Sequence, residues 1–311
     1  MTTTELTANV FSSPPSEEKA ARKRRIGQGR LIWRRFLRNR MAVVGACVVG
    51  TLVLLAVFGP MISPWGYLDI DYQAFLSPPS AAHLFGTTKS GRDVLTLSMF
   101  GLRKSLIIGM SVAVLQTGIA ALVGASAAYF SGWMERVSLW VIDLLLVVPE
   151  ILIIAIIMRG RFTGDASWVA LIFLLAFFGW MMSARVIRSL TMSLKHREYI
   201  LAAKYMGLSP FKIIVRHILP NISSLMIIDA TLNVGYAILS ETALSFLGFG
   251  VQAPDTSLGT LIGEGQRMAT TYPWIFSAPA IILVILVMAV NAMGDGLRDA
   301  LDPSSASGGQ A

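Results

Sequence analysis

The stretch from Arg197 to Asn221, REYILAAKYMGLSPFKIIVRHILPN, is polar and basic and lies between two strongly apolar segments. Each of those segments is long enough to cross a lipid bilayer. The stretch predicts a helix that ends at Gly207 in a left-handed cap, and a second helix capped by Ser209 with Pro210 at its first position. A structured polar loop between two membrane spans indicates a docking element for a soluble partner.

The first helix of this loop is predicted over residues 196–206. One face carries residues spaced three and four apart, namely Tyr199, Ala202, Ala203 and Met206. The two alanines allow the backbone of another protein to approach closely. The candidate docking residues are Arg197, Glu198, Tyr199, Ala202, Ala203, Met206, Gly207, Leu208, Ser209 and Pro210. The alternative is an ordinary surface hairpin with no partner.

The composition of the whole chain agrees with a membrane protein. Its 311 residues are 54% hydrophobic and only 14% charged, with a mean hydropathy of +0.65, whereas a soluble domain carries more charge. The single cysteine, Cys47, and three widely separated histidines give no metal-ligand spacing. We therefore expect an all-α polytopic membrane protein without a metal or cofactor site and without catalytic residues.

Six stretches are apolar enough to span a bilayer. They cover approximately residues 41–62, 105–129, 137–158, 166–186, 218–242 and 272–294. Lysines and arginines concentrate before the first span and in the loop between the fourth and fifth, which places both regions and both termini in the cytosol. The net charge of +8 thus follows from membrane orientation, and we expect no nucleic-acid partner.

The chain divides into four parts. Residues 1–28 form a polar tail that is predicted to be disordered, and residues 298–311 form a cytosolic C-terminal tail. Residues 29–104 contain a basic amphipathic helix, from Arg30 to Arg40, followed by the first span and an external loop. That loop, after residue 62, is predicted to form a folded cap with short helices. Residues 105–297 hold the other five spans.

Three motifs resemble those of one transporter family. The loop 197–221 resembles the EAA loop, by which the permease of a binding-protein-dependent ABC importer docks onto its ATPase. Ala202, Ala203, Gly207, Leu219 and Pro220 match, whereas Leu201 replaces the family's Glu and His217 its Ile. The segment HLFGTTKSGRDVLT, residues 83–96, resembles the element that precedes the second span in peptide permeases, with Thr88 in place of Asp. The segment LSFLGFG, residues 244–250, resembles a signature of the same family.

This resemblance covers residues 30–300 and is to the C-type permease subunit of dipeptide, oligopeptide and nickel-class ABC importers. It implies six transmembrane helices of the type I importer fold and location in the inner membrane. It also implies a homologous second permease, two cytosolic ABC ATPases and an extracytoplasmic substrate-binding protein. The sequence contains no phosphate-binding motif G-x-x-x-x-G-K-[ST], so ATP hydrolysis belongs to the partner subunits.

Polar residues within the spans are candidates for a translocation path, because charges in hydrocarbon are costly and usually face protein or water. They are Asp143, Glu150, Asp229, Asn233 and Glu241. Glu150 and Asp229 are the preferred candidates, and Pro149 is expected to kink the third span. The alternative, kept open above all for Asp143 and Glu241, is bonding to a neighbouring helix or to the partner permease.

Two other classes of protein remain as alternatives. A secondary transporter usually has repeated halves with broken helices, and no such repeat is evident. A channel would not need the docking loop. The sequence leaves open whether the substrate is a dipeptide, an oligopeptide, a nickel chelate or another small solute.

Overall fold

The computed structural model describes residues 28–162, 164 and 166–301, the side chains of residues 28–30 excepted. Within these ranges regular structure is helical, and extended pairing is limited to one bridge between Thr87 and Asp93. The predicted N-terminal tail lies outside the described residues except at residue 28. The predicted C-terminal tail lies outside them beyond residue 301.

The described helices follow one another in this order: α1 (Gln28–Arg38), α2 (Arg40–Ile62), α3 (Val94–Phe130), α4 (Gly132–Val147), α5 (Glu150–Met158), α6 (Ala166–Gly179), α7 (Met181–Leu194), α8 (Glu198–Tyr205), α9 (Pro210–Ile213), α10 (Leu219–Phe246), α11 (Leu258–Gln266) and α12 (Pro273–Leu301). A π-helical turn, Ile214–Ile218, joins α9 to α10 without a break. The second helix of the docking loop and the fifth span are therefore one continuous helix.

The described residues contain six candidate spans by length and composition when each bent helix pair is counted as one span. Four stretches are long and apolar enough to cross a bilayer alone, namely α2, α3, α12 and the continuous helix Pro210–Phe246. The pair α4 and α5 meets at 76°, and the pair α6 and α7 meets at 45°. Pro149 lies at the first break, where its ring removes a backbone donor. The prediction of an all-α, six-span membrane protein is confirmed.

Small residues allow close packing around the central helix α3. It packs against α7 and α10, and α12 packs against α2. A Cβ atom added to Gly124 would lie 2.4 Å from the carbonyl oxygen of Ala184, so α3 and α7 meet almost backbone to backbone. Ala120 and Ala128, four residues to either side of Gly124, are fully buried. This is the spacing that favours tight helix packing in membranes.

Contacts between loops define two ends of the bundle. At the cap end, the Tyr67 hydroxyl donates to the carbonyl oxygen of Pro254, and Trp274, at the start of α12, donates to the carbonyl oxygen of Thr87 over 3.3 Å. At the docking-loop end, Lys195 lies 2.6 Å from Ser131. The loops that follow the first and fifth spans thus meet at the cap end, as an alternating topology requires.

The cap, residues 63–93, is folded, but the prediction of short helices within it was wrong. Buried polar side chains organise it instead: His83 lies 3.0 Å from Asp93 and 3.3 Å from Asp71, and its ring stacks on Trp65. The main-chain NH of Gln73 donates a hydrogen bond to the carboxylate of Asp71 and lowers its pKa. The hydrogen bond between Asp71 and the His83 ring lowers this pKa further.

Several predicted boundaries require correction. The second span begins at Val94, eleven residues before the predicted start at 105, because Asp93 caps it and accepts from the main-chain NH of Thr96 at 2.8 Å. The amphipathic helix α1 ends at Arg38, because Asn39 caps α2. Residues 298–301 of the predicted tail belong to α12.

Candidate functional site

The turn of the docking loop has the geometry that the sequence predicts. Gly207 has a φ of +77°, and the NH of Leu208 donates to the carbonyl oxygen of Ala203 while that of Gly207 donates to Lys204. These two bonds form a Schellman cap, which favours glycine at the left-handed position. Ser209 precedes α9 and Pro210 is its first residue, as predicted, although the Ser209 side chain makes no capping bond.

The inner face of the loop is packed against the spans. Ile200, Ala203 and Ile213 are buried within a core that includes Ala120 of α3 and Ala184 of α7. The expectation that Ala203 offers a contact surface to a partner is therefore corrected, because this side chain is only 1% exposed. The inner face of the loop therefore belongs to the core of the membrane bundle.

The outer face presents large apolar side chains. Tyr199 and Met206 are exposed as expected, and Ala202 is exposed beside them. Tyr205 and Phe211, which are not among the predicted docking residues, are 87% and 68% exposed. The four-residue spacing of Phe211 and Val215 is a signal that could have revealed this surface. We call the exposed set the docking surface, comprising Arg197, Glu198, Tyr199, Ala202, Tyr205, Met206, Ser209, Pro210 and Phe211.

A shallow depression adjoins the docking surface. It has a volume of about 490 Å³ and is lined by Phe211, Lys212, Val215, Arg216 and Pro220. Two cationic side chains therefore border an apolar floor. Such a depression suits an apolar side chain from a partner with acidic residues beside it.

A second cavity, of about 550 Å³, opens where α4 meets α5 and α6 meets α7. Its lining includes the polar side chains of Glu150, Ser183, Asn233 and Tyr236. The Tyr236 hydroxyl donates a hydrogen bond to the Glu150 carboxylate. The recess therefore lies at the two helix breaks, with polar side chains in its lining. Irregular backbone in a membrane protein normally borders a cavity of this kind. Glu150 and Asn233, two of the candidate path residues, both line this cavity.

Asp229 lies beside this cavity but is held by its neighbours. Its carboxylate accepts from Ser183 at 2.9 Å, from Asn233 at 3.0 Å and from Thr117 at 3.5 Å. The side chain is half-buried and joins α3, α7 and α10. It supports the wall of the cavity through Ser183 and Asn233.

Asp143 and Glu241 lie away from the cavity lining. Asp143 forms an ion pair with Arg185 of α7, and both side chains are exposed. Glu241 is completely buried and accepts from Ser105 at 3.1 Å and from Ser245 at 2.6 Å. These contacts favour the alternative for both carboxylates, bonding to neighbouring helices.

Comparison with known proteins identifies the class to which this fold and loop belong. Residues 120–306 match the family described as the binding-protein-dependent transport system inner membrane component. Residues 27–79 match the N-terminal transmembrane domain of oligopeptide transport permease C. The chain belongs to the family of binding-protein-dependent inner membrane components and is a permease subunit of an ABC importer.

Its relatives match over almost their whole length. An oligopeptide permease protein OppC of Mycobacterium tuberculosis is 52% identical over 89% of this chain and 95% of its own. The Bacillus subtilis OppC and DppC proteins are each 35% identical, over 86% and 87% of this chain and 87% and 84% of their own. The inward-facing MetNI methionine ABC transporter has a TM-score of 0.52 at 18% identity, covering 66% of this chain and 97% of that chain, a likeness of fold alone.

Proposed function

We propose that this chain forms half of the translocation path of an inner-membrane oligopeptide importer. Its partners are a homologous second permease, two cytosolic ABC ATPases and an extracytoplasmic peptide-binding protein. The relatives named as oligopeptide and dipeptide permeases support this substrate class. The cavity of about 550 Å³ beside Glu150 and Asn233 supports a polar passage.

The docking surface is the site where an ATPase binds. The observation that carries this assignment is its two-sided construction: Tyr205, Met206 and Phe211 are exposed, whereas Ile200 and Ala203 on the inner face are buried in the membrane bundle. A solvent-facing cluster of large apolar side chains normally marks a protein interface. Because the inner face is fixed to α3 and α7, movement of the bound ATPase reaches the spans directly.

The docking-loop end faces the cytosol, together with both termini. The basic residues before α2 and around the loop between α7 and α9 support this orientation. The cap end then faces the extracytoplasmic side, where a binding protein would deliver the substrate. The sequence has no phosphate-binding loop, so the energy source is the partner ATPases.

The test is reconstitution of the complete importer in proteoliposomes. We expect uptake of a labelled pentapeptide that requires the binding protein and internal ATP, and no nucleotide turnover by this chain purified alone. A complex whose ATPases carry a substitution of their phosphate-binding lysine is the matched control. Peptide uptake driven by an ion gradient without ATP would instead support a secondary transporter, and passive leakage would support a channel.

A further inference from the structure

The cavity beside Glu150 is electrically unbalanced. Among the described residues that line it, Glu150 is the charged side chain, and the other polar groups are the neutral Ser183, Asn233 and Tyr236. The remaining lining is apolar, for example Leu145 and Phe178. The lining therefore contributes a net negative charge to the cavity.

The neighbouring carboxylates do not share this property. Asp143 is paired with Arg185, and Asp229 accepts hydrogen bonds from three side chains. Glu150 has no ion pair within the described part of the chain. Its carboxylate accepts a hydrogen bond from the hydroxyl of Tyr236. A neutral hydroxyl orients a carboxylate but leaves its charge uncompensated.

Glu150 occupies a helix N-terminus at the border of the cavity. It is the first residue of α5, directly after Pro149, and lies in the first turn of that helix. A negative charge at a helix N-terminus is stabilised by the helix dipole. The carboxylate is half-buried and borders the cavity, so it is accessible to a solute that enters.

We propose that Glu150 recognises the ammonium group of the solute during its passage, and that the Tyr236 hydroxyl holds the carboxylate until the ammonium group displaces it. This inference rests on the proposed function as a peptide importer. A peptide can supply an ammonium group from its amino terminus or from a lysine side chain. The cavity thereby contributes a charge preference within the permease, separate from any preference of the binding protein.

The experiment compares three pentapeptides in the reconstituted complete importer, each at saturating binding protein. The first has a free amino terminus and neutral side chains, the second is its N-acetylated form, and the third is acetylated and contains one lysine. Glu150→Gln is expected to reduce the uptake of the free peptide relative to the acetylated one by at least about threefold, the effect of losing a partly solvated ion pair. If Glu150→Gln instead reduces the uptake of the third peptide and not that of the free peptide, the ammonium group that Glu150 recognises is that of lysine.

Control variants separate the local charge from other effects. Asp143→Asn removes the same charge outside the cavity lining. It should leave the ratio of free to acetylated peptide uptake as it is in the wild type. Met182 lines the cavity, so Met182→Lys places a cation beside Glu150 and should reduce the ratio as Glu150→Gln does, whereas Met182→Gln should not. This second pair keeps the test decisive if Glu150→Gln does not assemble.

The outcomes distinguish this inference from the proposed function. The role of Glu150 is overturned if the importer takes up peptide but neither Glu150→Gln nor Met182→Lys changes the ratio of free to acetylated peptide uptake. Peptide import as the function of the protein would then still stand. Failure of the wild-type importer to take up any of the three peptides with ATP would contradict the proposed function itself.

Discussion

The ammonium group of Lys195 donates a hydrogen bond to the hydroxyl of Ser131 over 2.6 Å. It also reaches the carbonyl oxygen of Ala128, 3.1 Å away, in the last turn of α3. A cation at the C-terminal end of a helix is stabilised by the helix dipole. This contact fastens the beginning of the docking loop to the end of the second span, on the route from the docking surface into the bundle.

Loss of this contact should weaken coupling. Lys195→Met removes both hydrogen bonds, which together contribute about 1 kcal/mol at a partly exposed site. We expect normal membrane insertion and fewer peptides transported per ATP hydrolysed, measured in the same proteoliposomes. Lys89→Met, an equal charge change at an exposed position of the cap, is the control. An unchanged transport ratio in Lys195→Met would show that this contact plays no part in coupling.

Substitution of Glu241 should affect stability. Glu241→Leu leaves the hydroxyls of Ser105 and Ser245 without their buried acceptor, which costs about 1–3 kcal/mol. The purified complex should therefore unfold at a temperature several degrees lower. Glu241→Gln retains an acceptor oxygen and should lie closer to the wild type. A Glu241→Leu complex with unchanged thermal stability but abolished uptake would instead return this residue to the translocation path.

The two ends of the bundle should face opposite sides of the membrane. Ser90 in the cap and Ser209 in the docking loop are both exposed and can each be changed to cysteine. The background is Cys47→Ala, which removes the natural thiol. In intact cells an impermeant maleimide should label the cysteine at position 90 but not that at 209. Labelling of both from the outside would contradict the proposed orientation.

Local signals in the sequence were sufficient for much of the docking loop. Gly207 and Pro210 determine the turn through their own backbone preferences, so the Schellman cap and the start of α9 could be predicted without knowledge of their neighbours. The break at Pro149 was predictable for the same reason. The six spans followed from hydropathy, because each must satisfy its backbone hydrogen bonds internally.

The remaining features depend on contacts between distant segments. Ala202 and Ala203 are identical residues, and only the packing of Ile200 and Ile213 against α3 decides that Ala203 is buried while Ala202 is exposed. The partners of Glu241 likewise come from α3 and from its own helix, a long-range arrangement that no local pattern contains. Residues 94–104 escaped detection because polar side chains such as Arg103 and Lys104 lower the hydropathy of the first turns of the second span.

The measurement that tests coupling through the docking loop most directly uses Gly207→Val. Gly207 has a φ of +77°, where a Cβ costs about 1 kcal/mol and a β-branched side chain more. No atom outside the turn lies within 4 Å of the added Cβ, so the strain acts on the turn alone. The substitution should tilt the docking surface on α8 and α9 while leaving the spans in place.

The assay is ATP hydrolysis by the assembled importer, measured with and without peptide-loaded binding protein. We expect that Gly207→Val inserts into the membrane in normal amounts but loses the stimulation by loaded binding protein together with peptide uptake. The control is Gly50→Val, because Gly50 lies in α2 with open space around its Cβ position and an ordinary helical backbone. Wild-type stimulation and uptake in Gly207→Val would contradict the claim that this loop transmits ATP hydrolysis to the membrane spans.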